Sequence, residues 1–264
     1  MHLLRYLGEI SIAGILLGGT LVLAQAQTSL NFDQVLAQIE ANTRRYTATV
    51  PSFFCNEHIV SEEIHAGKIK RETTVDAVFS VKRSASQPNV LEESREVKLI
   101  DGKPAVGKKM NMPLTFSGGF SGALAKFLSS DHRACFDYTA DASGLMPQGT
   151  AGFTFVARTT AGREPDCASI QPGTTGKFTV DTASMQVTHI ERTAPTAVGN
   201  DKTVLGTAAV DYALVTLNDK SFWLPTTITA FTTDSSKAES VHFTAHYSDY
   251  HRFAATATIL PTEQ

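Results

Sequence analysis

The sequence predicts an α+β fold dominated by a large, curved antiparallel β-sheet with a few helices against one face. Three observations carry this. Nine segments alternate apolar and polar residues with a period of two, the spacing at which successive strand side chains point to opposite faces. Short polar turns join several of them, so consecutive strands must run antiparallel. Apolar residues at helical spacing occur in two stretches, one near the front of the chain and one near the middle.

The first 26 residues, "MHLLRYLGEISIAGILLGGTLVLAQA", have one early base, Arg5, then an apolar stretch from Ile10 to Leu23, then Ala24-Gln25-Ala26. The last three form the small-x-small pattern of a signal peptidase site. The stretch is broken by Gly14, Gly18 and Gly19 and is shorter than the roughly 20 residues needed to span a bilayer. A signal peptide over 1–26, cleaved near Ala26, is therefore expected, and with it a periplasmic or secreted protein. Residues 27–264 contain no Pro/Ser-rich linker and no solenoid-length repeat, so they are read as a single domain.

Behind the potential caps Ser29 and Asn31, the residues Phe32, Val35, Leu36, Ile39 and Tyr46 recur at helical spacing. This amphipathic helix must stop before Pro51, whose ring disfavours helical geometry in the residue before it. The period then changes to two. In "IKRETTVDAVFSVK", residues 69–82, the odd positions Ile69, Arg71, Thr73, Val75, Ala77, Phe79 and Val81 form the more apolar face. Similar strands are predicted over 54–64, 90–100, 151–158, 176–181, 184–193, 206–217, 222–231 and 237–250, with turns at "DGK" (101–103), "DTAS" (181–184) and "NDKS" (218–221). The second helix is predicted in "GGFSGALAKFLSS", with Phe120, Leu124, Phe127 and Leu128 on one face.

The 264 residues are 42% hydrophobic and 19% charged, an ordinary globular composition. A net charge of -3 without any basic run excludes a phosphate-binding stripe, so no nucleic acid partner is expected. Export makes disulfides persistent. Of the three cysteines, Cys135 and Cys167 are the preferred couple, closing a loop worth roughly 3 to 4 kcal/mol. A bridge from Cys55 to either stays open, as does a set of three buried thiols.

Three stretches look like chemistry. "HFTAHYSDYHRF" (242–253) holds three histidines. Read as a strand, it puts His242, Thr244, His246 and Ser248 on one face and Val241, Phe243, Ala245, Tyr247 and Asp249 on the other. His242 and His246 then stand about 13 Å apart, whereas zinc needs nitrogens at about 2.0 to 2.1 Å. "SFFCNEH" offers Cys55 and His58 at C-x-x-H spacing but no second cluster, and fits an apolar strand start. "GGFSGA" puts Ser121 where a nucleophile elbow would have its serine, yet that elbow belongs to a mainly parallel sheet. No catalytic residue, metal or cofactor is expected.

"PSFFC" opening the sheet, "HAGKI" about ten residues later, "LIDGKPAV", "GKFTVDTASMQVTHIERT", "FWLPTTITAF" and the closing "VHFTAHYSDYHRF" together resemble the LolA/LppX-like proteins, relatives of the outer-membrane lipoprotein-sorting proteins. The similarity covers residues 30–255. It implies an unclosed half-barrel whose concave apolar face, lidded by helices, receives acyl chains of lipoproteins or lipids. The implied lining is Val75, Phe79, Phe153, Phe155, Val187, Trp223, Ile228, Phe243 and Tyr247, with Phe120, Leu124 and Phe127 on the lid. The basic-aromatic segment of the lipoprotein carriers has no counterpart. "DAVFSVKRSAS" stands in its place, which argues against lipoprotein trafficking specifically. The expectation is an exported, monomeric, non-enzymatic binding protein for a lipid or acyl chain, in transient contact with the envelope. The competing expectation is a secreted structural or interaction module with a filled core, and behind it a Ser121 hydrolase or a histidine metal enzyme.

Overall fold

The computed structural model describes residues 32–84, 86, 90–116, 118–141, 146–198, 202–234 and 237–253; the expected signal peptide lies outside them. The first helix, α1, spans Phe32–Thr49. Four strands follow: β1 (Phe53–His65), β2 (Lys68–Arg83), β3 (Leu91–Ile100) and the short β4 (Lys103–Pro104). Helix α2 (Gly119–Leu128) precedes β5 (Phe136–Ala140), β6 (Thr150–Ala157), β7 (Thr175–Asp181), β8 (Gln186–Val198), β9 (Lys202–Leu217), β10 (Lys220–Asp234) and β11 (Glu239–Arg252).

All eleven strands form one open antiparallel sheet in the order β4-β3-β2-β1-β11-β10-β9-β8-β7-β6-β5. The first long strand and the last one pair in its middle, and β4 and β5 are its edges. The link from β4 to β5 must therefore cross from one edge to the other. It does so over the apolar face and carries α2, which packs against β3, β9, β10 and α1. A flat sheet could not be spanned so economically. Bulges in the pairings of β1 with β2 and β11, β2 with β3, β9 with β10 and β7 with β8 supply the bending.

The predicted turns form for the predicted reason. Asp101 and Gly102 both have positive φ, 49° and 68°, the geometry whose twist matches a two-residue hairpin. At "DTAS" the Asp181 carboxylate accepts from Ser184 N and Oγ, which holds its pKa below the ordinary value, and Met185 takes the left-handed position.

Two details depart from the alternation. Ile69 and Arg71 are exposed at the start of β2, next to the turn from β1. Asp249 also faces solvent instead of the core. A bulge opposite Phe54–Asn56 gives it φ 56° and shifts the phase of β11, so that Tyr250 turns inward and its hydroxyl donates to the Pro225 carbonyl.

Candidate functional site

The inner face is filled by two aromatic clusters, and α2 joins them. At its front Phe120 packs against Phe53, Phe79 and Tyr247, with ring centroids 5.7, 5.0 and 4.9 Å away. Two turns on, Phe127 stacks on Phe155 at 5.4 Å and meets Phe136 at 5.8 Å; Phe153 and Phe178 extend the same group. Of the expected lining, Val75, Phe79, Phe120, Leu124, Phe153, Phe155, Val187, Ile228, Phe243 and Tyr247 are buried in this core, and Trp223 packs partly buried against it. Phe127 is buried too, but it also borders open space.

That space is a cleft of about 220 Å³ between α2 and strands β8 and β9. Its floor is apolar: Ile190 from β8, Ala208 and Val210 from β9, with Phe116, Ala123 and Phe127 as walls. Gly122 leaves one side open, since a Cβ built there would meet nothing within 4 Å. The polar side chains at its rim are Lys126 and Arg192. The same two residues border a smaller space of about 130 Å³ toward Ser169, Gln171 and Thr174. Gly122 and Lys126 also border a groove of about 750 Å³ between α1 and α2, lined by Thr43, Arg44, Thr47 and Ala48 on the α1 side.

Each wall is fixed by a specific contact. The Tyr138 hydroxyl donates to the Phe127 carbonyl at 2.6 Å, satisfying one of the orphan acceptors at the end of α2. Ahead of α2, Ser61 Oγ both donates to the Leu114 carbonyl and accepts from its N–H, each at 2.9 Å. The Cys135–Cys167 disulfide, with Cα atoms 5.6 Å apart, ties the segment after α2 to the 158–174 loop that supplies Ser169 and Gln171. It is the preferred pairing of the sequence, and Cys55 remains a buried free thiol. Helix α1 is held by Asn42, whose amide donates to the carbonyls of Ser184 and Met185 at 3.1 and 2.7 Å. At the other end of that helix Arg83 donates to the carbonyls of Thr47 and Val50.

One carboxylate, Glu57, lies on the inner face. Its side chain is fully buried on the inner face, gripped by Arg95 through two hydrogen bonds and by the Tyr247 hydroxyl at 2.9 Å. The cross-strand neighbour of Glu57 on β2 is Ala77, small enough to let Arg95 reach over it from β3. In the sequence, the sign of this was a Glu in phase with Phe53, Cys55 and Ile59. A second buried polar group, the Tyr212 hydroxyl, has no hydrogen-bond partner among the described residues.

The histidines lie on the opposite face of the sheet. Register puts Asp76, His58, His246, Thr227, Asp211 and His189 directly across from one another on six neighbouring strands. His58 Nδ1 donates to Asp76 at 2.7 Å and His189 Nδ1 to Asp211 at 2.6 Å. Among the described residues no group of three or more His, Cys, Asp or Glu is disposed to hold a metal. The nucleophile reading rests on the Ser121 side chain, which lies outside the described residues.

No family model matches the chain, and neither does any curated protein. The solved structures similar to this chain include two with whole-domain coverage. One is a LolA superfamily protein from Nitrosomonas europaea, 10% identical, covering 84% of this chain and 94% of that one at a TM-score of 0.37. The other is a DUF1329 family protein from Desulfovibrio piger, 9% identical, covering 85% of this chain and 94% of that one at 0.45. At such identities and scores neither transfers a ligand or a residue's role.

Proposed function

We propose that the protein is exported and binds, without chemistry, an apolar chain in the cleft beneath α2. One observation carries the reading: in an inner face otherwise closed by interlocking rings, an apolar-floored opening persists between α2 and β8–β9. The cleft alone is smaller than the roughly 300 Å³ at which small-molecule sites begin. It shares Gly122 and Lys126 with the inter-helix groove, so a longer ligand would extend along α2 toward that groove. Apolar burial at about 25 cal/mol per Å² needs no polar motif to give affinity. The disulfide fits an oxidising compartment outside the cytoplasm.

The second reading, an interaction module with no cargo, draws on how completely the two aromatic clusters fill the interior. Native mass spectrometry of the exported protein separates the two. A bound acyl species that Gly122→Leu excludes supports the cleft. A bare chain that also takes up no apolar fluorophore rejects it in favour of the module.

A further inference from the structure

We propose that the ligand of this cleft is an anionic amphiphile, an acyl chain ending in a carboxylate or phosphate, and that Lys126 and Arg192 receive its head. The inference rests on the reading above and adds the ligand's class to it. Arg192 points the only guanidinium of β8 toward the rim, half-buried, and makes no hydrogen bond or ion pair among the described residues; nor does Lys126. Three other guanidiniums on this side of the sheet are occupied. Arg95 holds Glu57, Arg83 holds two carbonyls, and Arg133 holds Asp33 and Glu40. No carboxylate is found among the described residues lining either the cleft or the smaller space beside it.

An idle guanidinium in a partly desolvated position costs free energy, and a second cation beside it adds repulsion. Burial alone pulls the Arg192 pKa down, with no carboxylate opposing it, and the Arg192 charge helps burial to pull Lys126 down. An anion between the two relieves both costs. The guanidinium fork matches a carboxylate or phosphate with two parallel hydrogen bonds, and the ammonium adds a point charge. Immediately inward lie Ile190, Ala208 and Val210, which can cover only apolar atoms. Charged rim and apolar floor together describe an amphiphile, head outward and tail beneath α2.

The test compares three probes on the full exported chain: a long-chain fatty acid, the alcohol of the same chain length, and inorganic phosphate. Binding is read by displacement of an apolar fluorophore and by calorimetry, for wild type, Lys126→Gln/Arg192→Gln and Gly122→Leu. The acid should bind at least tenfold more tightly than the alcohol, the double substitution should remove that preference by weakening the acid at least tenfold more than the alcohol, and Gly122→Leu should weaken both. Equal binding of acid and alcohol in wild type, or a preference that survives the double substitution, overturns the head-group assignment and leaves the apolar cleft standing. Displacement of the acid by phosphate alone at comparable concentration overturns the amphiphile in favour of a free-anion site. Failure of acid and alcohol alike removes the proposed function itself.

Discussion

Arg95 Nε and Nη2 donate to the two oxygens of the buried Glu57 carboxylate at 2.5 and 2.7 Å, a bidentate ion pair across three strands of the inner face. The Phe79 ring lies 5.9 Å from the guanidinium carbon, and Tyr247 fills a remaining acceptor site of the carboxylate. The pair's attraction is set against the cost of removing both charges from water, so its net worth is small while the cost of halving it is large. Arg95→Leu should therefore cost about 3 to 5 kcal/mol. Glu57→Leu/Arg95→Leu/Tyr247→Phe, which leaves no polar group behind, should recover most of that loss. Urea midpoints at constant slope measure both, and a triple variant as unstable as the single one would show that the network itself holds the sheet together.

The disulfide closes a loop of 32 residues, and chain-entropy arithmetic gives it roughly 3 to 4 kcal/mol. Cys135→Ser/Cys167→Ser should lower stability by that amount and also loosen the 158–174 loop bordering Arg192. Hydrogen exchange of the Ser169–Thr174 amides separates the two effects. Faster exchange confined to that loop under native conditions is the expected result.

Much of the fold was legible because its cause is local. The period of two in β2 and β11, the helical spacing of Phe120, Leu124 and Phe127, and the Asp101-Gly102 turn each follow from residues a few positions apart. What was not legible depends on partners far away in sequence. Five-residue β5 carries too short an alternation to stand out, and becomes a strand only because β6 supplies its partner. Gly176 opens the predicted strand 176–181 and sits within β7, but the need for a glycine there was not legible. A Cβ there would lie 2.2 Å from the Phe155 ring and 2.3 Å from the Glu191 carbonyl, so the glycine makes room for the aromatic cluster. The cleft was hidden for a similar reason. Arg192 falls on an alternating strand like any rim charge, and only the path of α2 over β8 and β9 gives it an apolar neighbourhood.

Tyr212 sits on β9, 5% exposed, with its hydroxyl unpaired among the described residues. A buried hydroxyl without a partner carries its desolvation cost, about 1 to 3 kcal/mol, with nothing returned. Tyr212→Phe keeps the ring and removes the cost, so thermal and urea stability should rise or stay level. A loss of more than about 1 kcal/mol would mean that an ordered water satisfies the hydroxyl in solution.

Burial also sets the alkaline limit of the fold. It is the first cause raising the pKa of Tyr46, Tyr138, Tyr212, Tyr247 and Tyr250, and it pushes the Cys55 thiol up to about 12. In the unfolded chain these groups release protons near their ordinary values, about 8.5 for cysteine and about 10 for tyrosine. Above those values the unfolded state holds fewer protons than the native one, so stability falls as pH rises, whereas below about pH 8 these groups contribute no slope. The protein should hold its circular dichroism to about pH 9 and then lose it cooperatively, with the five tyrosinates appearing in near-ultraviolet absorbance over the same interval. Tyrosinate absorbance that develops gradually while the β-sheet signal stays intact would show that these hydroxyls reach solvent in the native state.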